Sequence, residues 1–277
     1  MTVQSSPSDL VIRPRELRID SSAPAPRWWL GGDPFGTAVM NALSLTFPDG
    51  ERFFIQSVRR FEKDCPAELR AQVRAFVQQE GLHTREHIAF NAMAEEAGYD
   101  LVDINRYIDG RMAFARSRPE LVQLASTVAL EHFTAAFAHL LLKERELLDQ
   151  APPHLAKLWR WHAIEEIEHK GVAYDVFLHA TRHLPEARRR KLRRWVMFLT
   201  TVRFTKTVRD VSLMLLRQDG VTGLRAWWGV QRWLWASPGL YRRVMGDYLA
   251  FYRPRFHPWQ VDDRALIAGA EAELALA

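Results

Sequence analysis

One cysteine, Cys65, stands in 277 residues. A lone thiol excludes an intramolecular disulfide and a thiolate metal cluster, and it fits a reducing compartment. No uninterrupted apolar run reaches the about 18 residues of a membrane-spanning helix. The nearest approach, WVMFLTTV at 195–202, stops at Arg203. The opening MTVQSSPSDLVIRPRELRID has no apolar core of the kind a signal peptide carries. A cytoplasmic location is therefore expected. Fourteen Gly and fourteen Pro are too few for a collagen-like or low-complexity chain. No period-2 alternation competes with helical periodicity, so an all-α fold is expected. Flavin, nicotinamide, helix-turn-helix and zinc-finger fingerprints are all missing, and nucleic acid is not an expected partner.

What is present is apolar, helical and basic. Hydrophobic residues make up 48% of the chain, enough for a sizeable core. Residues 1–35, with scattered Pro and the stretch PAPRWWLGGDP, read as an N-terminal arm. FGTAVMNALSLTF (35–47) reads as a short helix, and PDGE (48–51) as a turn into a second helix over 50–63. Further helices are expected over 66–97, 101–117, 119–149, 152–183, 185–218, 222–235, 238–252 and 262–276, with Pro and Gly as punctuation. Residues 36–184 would form a metal-binding helical bundle. Residues 185–277 would pack on it within one globular domain.

The reason to expect metal is the string WHAIEEIEHK at 161–170. His162, Glu166 and His169 fall within about 60° of one another on a helix. EGLHTREH upstream places Glu80, His83 and His87 on one face in the same way. Two Glu-x-x-His pairs on separate helices are what four-helix bundles use to hold two ions, completed by one Glu from each of two more helices. Glu51 and Glu131 stand in the right order. Glu131 interrupts the apolar LASTVALEHFTAAFAHLLL, where a charge is costly unless coordinated or paired. Glu51 is placed at a helix start, where the helix dipole also favours Glu. Four carboxylates neutralise two divalent ions; without them, their crowding would be unfavourable. Glu165 competes with Glu166, being four residues from His169. His87 is either an extra ligand or a group behind one, and His132 belongs to the core or behind the ligands. Glu86 and Glu168 are read as solvent-facing or paired with nearby Arg and Lys.

FPDGERFF (47–54), EGLHTREH (80–87), LEHFTA (130–135) and WHAIEEIEHK (161–170) resemble the blocks of a bacterial family labelled predicted metal-dependent hydrolase. That likeness runs from about residue 25 to about residue 255. The ligand spacing resembles ferritin-like di-iron proteins, and within them the p-aminobenzoate N-oxygenase type. The resemblance implies a seventh protein ligand, His162, beside Glu51, Glu80, His83, Glu131, Glu166 and His169. It is confined to the ligand helices, so arylamine specificity does not carry over.

The expected fold is thus a ferritin-like four-helix bundle with a dinuclear centre and additional C-terminal helices. The leading reaction is O2-dependent oxidation of an apolar or lipid-like small molecule by two ions, Fe ahead of Mn or Zn, with O2 as co-substrate and an external electron donor. Hydrolysis by a metal-bridging hydroxide is the alternative, and iron handling without catalysis a third reading. Net charge is +5, and seven of the ten Trp lie after residue 160. RRRKLRR (188–194) and WWGVQRWLW (227–235) suit peripheral attachment to an anionic membrane, or simply cover the bundle. Exposed aromatic helices also leave a homodimer open.

Overall fold

The computed structural model describes residues 5–7 and 9–274. All regular secondary structure among them is helical. The order is α1 (Pro34–Glu62), α2 (Ala67–Glu96), α3 (Val102–Arg116), α4 (Glu120–Lys143), α5 (Pro153–His169), α6 (Val172–Ala180), α7 (Glu186–Gln218), α8 (Gly223–Trp235), α9 (Leu240–Arg243), α10 (Met245–Ala250) and α11 (Arg264–Leu274). Short 3-10 turns lie at Arg145–Leu147 and Pro258–Gln260.

Helices α1, α2, α5 and α4 pack in a ring, each against the next and α4 back against α1. α4 is long and apolar enough to cross a membrane, yet it is mostly buried inside the protein. A helix apolar on all sides has its place at the centre of a core. α7 lies against α1 and α4, α8 against α1 and α7, and α11 against α5 and α4. At the α1–α8 crossing the backbones come close: a Cβ on Gly36 would stand 2.6 Å from Nε1 of Trp233, and one on Gly229 would enter the Phe35 ring.

Four expected boundaries are corrected. The break at 48–50 does not exist: α1 runs through Pro48, so Glu51 sits deep within a helix, not at its start. Proline has no N–H for the carbonyl four residues back, that of Ser44. Asn91 on α2 supplies the donor, its Nδ2 standing 3.2 Å from the Ser44 oxygen. The neighbouring helix repairs the ladder, and the helix continues. The helix expected over 152–183 is split at Lys170 and Gly171. There the C-terminal segment docks: Lys170 Nζ donates to the Val261 carbonyl at 2.8 Å and to Asp263 at 2.5 Å, and Trp259 leaves no room for a Cβ on Gly171. The helix expected to reach 149 ends at Lys143, and that expected over 238–252 is two short pieces.

Candidate metal centre

Residues 161–169 of α5 are all buried, although five of the nine are His or Glu. Around them the ring of helices brings Glu51, Glu80, His83, Glu131, His162, Glu166 and His169 together, none more than 4% exposed. Three-residue sets drawn from them have ligand atoms within 4.8 Å of one another, namely Glu80, Glu131 and His169; Glu51, Glu80 and His83; and His83, His162 and Glu166. Glu80 spans the cluster, one oxygen 3.2 Å from His169 Nε2 and the other 4.0 Å from His83 Nδ1. Glu166 does the same, with Oε1 3.6 Å from His83 Nδ1 and Oε2 3.6 Å from His169 Nε2. Glu131 lies 3.4 Å from His169 Nε2.

The donor set fits a pair of cations. Glu51 Oε1, both oxygens of Glu80 and of Glu131, Glu166 Oε2, His83 Nδ1 and His169 Nε2 are buried without a hydrogen-bond partner. Buried polar atoms are nearly always satisfied, because an unpaired one costs several kcal/mol. Here the unsatisfied atoms converge on one place. Burial, together with repulsion between the carboxylates, pushes Glu51, Glu80 and Glu131 well above the usual carboxylate range. Glu166 is held well below it: burial opposes ionisation, but His169 and His162 outweigh it. Burial and neighbouring His162 push His83 and His87 down, keeping them neutral as ligands must be.

Each histidine is oriented from behind. His83 Nε2 stands 3.0 Å from Glu165 Oε2, so its Nδ1 is left to face the cluster. His169 Nδ1 stands 3.0 Å from Gln79 Oε1, which leaves Nε2 inward. His162 Nδ1 lies 2.6 Å from His87 Nε2; His87 Nδ1 lies 2.8 Å from Ser44 Oγ; and Ser44 donates to Asn91 Oδ1 at 2.7 Å. His162 Nε2 in turn lies 2.7 Å from Glu166 Oε1. Partners of this kind set the tautomer and ring angle of metal-binding histidines.

Glu165 thus does not compete with Glu166; it stands behind His83. His87 touches His162 and also comes within reach of Glu51. His132 takes the first of its two expected places, the core, with Nε2 2.8 Å from the Asp247 carbonyl and its ring packed on Phe251 and Phe256. Of the two expectations for Glu86 and Glu168, pairing with Arg holds and solvent exposure does not. Both pair with Arg, Glu86 with Arg85 and Glu168 with Arg15, and both also take backbone N–H groups from the segment 13–19. Arg13 N donates to Glu168 at 3.1 Å, Arg15 N to Glu165 at 2.6 Å and Ile19 N to Glu86 at 2.7 Å. Sequence reasoning missed this role. A signal existed: Glu165, Glu166 and Glu168 spread over about 160° of α5, so Glu165 and Glu168 cannot share the face of Glu166.

On the side of Glu51, His162 and Glu166 lies a cavity of about 370 Å³, walled by Phe47, Phe53, Leu130 and Phe204 among others. Phe76 and Trp161 close the opposite side against His169 and His83. A buried donor cluster of carboxylates and imidazoles beside an apolar cavity agrees with a match to the family model described as predicted metal-dependent hydrolase, over residues 13–262. The chain belongs to that family. A search of the curated proteins and one of the solved structures find no match. Membership of this family makes metal-dependent enzyme chemistry the expected activity.

Proposed function

We propose that this chain is a dinuclear-metal enzyme that oxidises an apolar small molecule held in the cavity beside Glu51, His162 and Glu166. The observation that carries the reading is the convergence of unpartnered buried carboxylate and imidazole atoms. Glu51, Glu80, His83, Glu131, Glu166 and His169 would hold two ions, with His162 as an additional donor. That donor set is the one a ferritin-like di-iron bundle would use. A donor set of hard carboxylates with imidazole suits Fe, with Mn and Zn as competitors. When bound, iron would supply O2-dependent oxidation with electrons from an external donor. The protein's own share is to hold the ligands, fix their tautomers through Glu165, Gln79 and His87, and keep water from the cavity with phenylalanine walls.

Hydrolysis is the second reading, and the family description favours it. In that case the same residues would hold ions that supply hydroxide to an ester or phosphoester. We also propose that an anionic membrane surface receives one face of α7. Trp195, Phe198, Leu199 and Val202 recur at helical spacing and stay exposed there, beside the basic Arg190, Lys191 and Arg194.

Elemental analysis of protein purified without chelator tests the main reading, followed by O2 uptake on reduction. About two Fe per chain with O2 consumption supports oxidation. Zn or Mn at that ratio, no O2 consumption and turnover of an ester support hydrolysis. Folded protein that takes up no metal overturns both.

A further inference from the structure

The cavity beside the carboxylate cluster changes character along its length. Its inner wall is aromatic and aliphatic, next to Glu51 and Glu166. Its mouth carries Arg111, Arg118 and Arg203. The guanidinium of Arg203 lies over the Phe114 ring at 3.6 Å from the centroid, and that of Arg118 over the same ring at 4.3 Å. Arg111 donates to the Arg203 carbonyl at 3.0 Å and to Thr207 Oγ1 at 3.0 Å.

Among the described residues no carboxylate pairs with any of these three arginines. Their neighbours on the same helices are neutralised: Arg116 faces Asp49, and Lys206 and Arg209 share Asp210. Arg203 donates no hydrogen bond to a protein group among the described residues, although its guanidinium offers five N–H donors. Burial, and then repulsion from Arg111 and Arg118, lowers its pKa from the ordinary arginine value. Three like charges gathered at the rim of an apolar cavity are unfavourable by themselves. An anion there would relieve the repulsion and fill the unspent donors.

We propose that the cavity binds a single-chain amphiphile with an anionic head, a carboxylate or a phosphate monoester. Arg111, Arg118 and Arg203 hold the head, and the chain runs inward to Glu51 and Glu166. The inference rests on the reading of that cluster as the reacting centre. A chain atom fills roughly the volume of a water molecule, about 30 Å³, so the space suits a chain on the order of ten carbons. The end remote from the head would then be the part presented to the metal ligands. Leu199 and Phe114 are exposed and line the same cavity, so the mouth opens beside the apolar face of α7.

Calorimetric titration of the purified chain with decanoate, decyl phosphate, decanol and decylamine tests this, with metal content measured on the same samples. The expected result is that at least one anion binds about tenfold or more tighter than decanol, and that decylamine binds weakest. Whichever anion is preferred names the head. Arg203→Met and Arg118→Met should each remove most of that preference while leaving decanol affinity unchanged. Equal affinity for anion and alcohol, or variants that weaken both alike, overturns the proposal. Head-selective binding by a chain that takes up no metal would uphold the amphiphile site and overturn the dinuclear reading instead.

Discussion

Glu165 and Glu166 are neighbours in the chain with different tasks, and the difference can be measured. Glu166 faces the cluster, whereas Glu165 accepts from Arg15 N and orients His83. Glu165→Gln keeps the volume and replaces the carboxyl group behind the histidine with an amide. Metal affinity should fall about ten- to a hundredfold, as for other partners of ligating histidines, while circular dichroism stays unchanged. Undiminished affinity would show that His83 needs no such partner. Titration gives a second handle. Burial pushes Glu165 up to about 8, and Glu51, Glu80 and Glu131 are raised as well. In the metal-free fold these groups hold protons that the unfolded chain releases, so stability falls as pH rises toward their folded pKa values. His83 and His87 work in the opposite sense, since their folded pKa values are depressed and the unfolded imidazoles bind protons below about 6.5. Above about pH 7 only the carboxyl effect remains. The melting temperature of chelator-treated protein should therefore drop between about pH 7 and 8.5, while the metal-loaded form, whose carboxylates are already ionised, changes little. A parallel drop in both forms would contradict this assignment.

At the scale of the element, α1 shows how a helix survives an internal proline. Asn91 spends its amide on the carbonyl that Pro48 frees and its oxygen on Ser44 Oγ, which in turn faces His87. Asn91→Ala should cost about 1–2 kcal/mol in urea denaturation, since it strands a carbonyl and loosens the hydroxyl. The cost should shrink in a Pro48→Ala background, where the helix supplies its own donor; additive losses would mean the two residues are uncoupled. This repair was not legible beforehand, because the Pro-Asp-Gly signal is local and the compensating amide lies on another helix. The ligand faces were legible, because Glu-x-x-His and His-x-x-x-Glu spacing is itself the geometry of a helix face. Glu86 and Glu168 pair with Arg as expected, but their burial was illegible for the reason Pro48 was: they also take backbone N–H groups remote in sequence, which no periodicity announces. The length of the α5 segment was likewise decided from outside, by Trp259 and Asp263 docking at Gly171 and Lys170.

For the whole molecule, the apolar face of α7 and the cationic mouth point to one side of the protein, and that placement predicts behaviour toward lipid. The chain should sediment with vesicles containing anionic phospholipid, weakly or not at all with neutral ones, and Trp195→Ser with Phe198→Ser should abolish the association. Retention of the wild-type chain in the supernatant at low salt would count against the membrane face, and a dimer that buries Trp195 would assign it to a second copy. The segment 13–19 has a consequence of another kind. Its N–H groups meet Glu165 and Glu168, about 150 residues further along, so it is synthesised long before the carboxylates it caps. The amide of Ile19 can meet Glu86 as soon as α2 is made, but those of Arg13 and Arg15 have nothing to fasten to until α5 has been made and docked. The first part of the bundle's wrapping to leave the ribosome is thus a latch whose closing turn waits until every helix bearing a ligand is present.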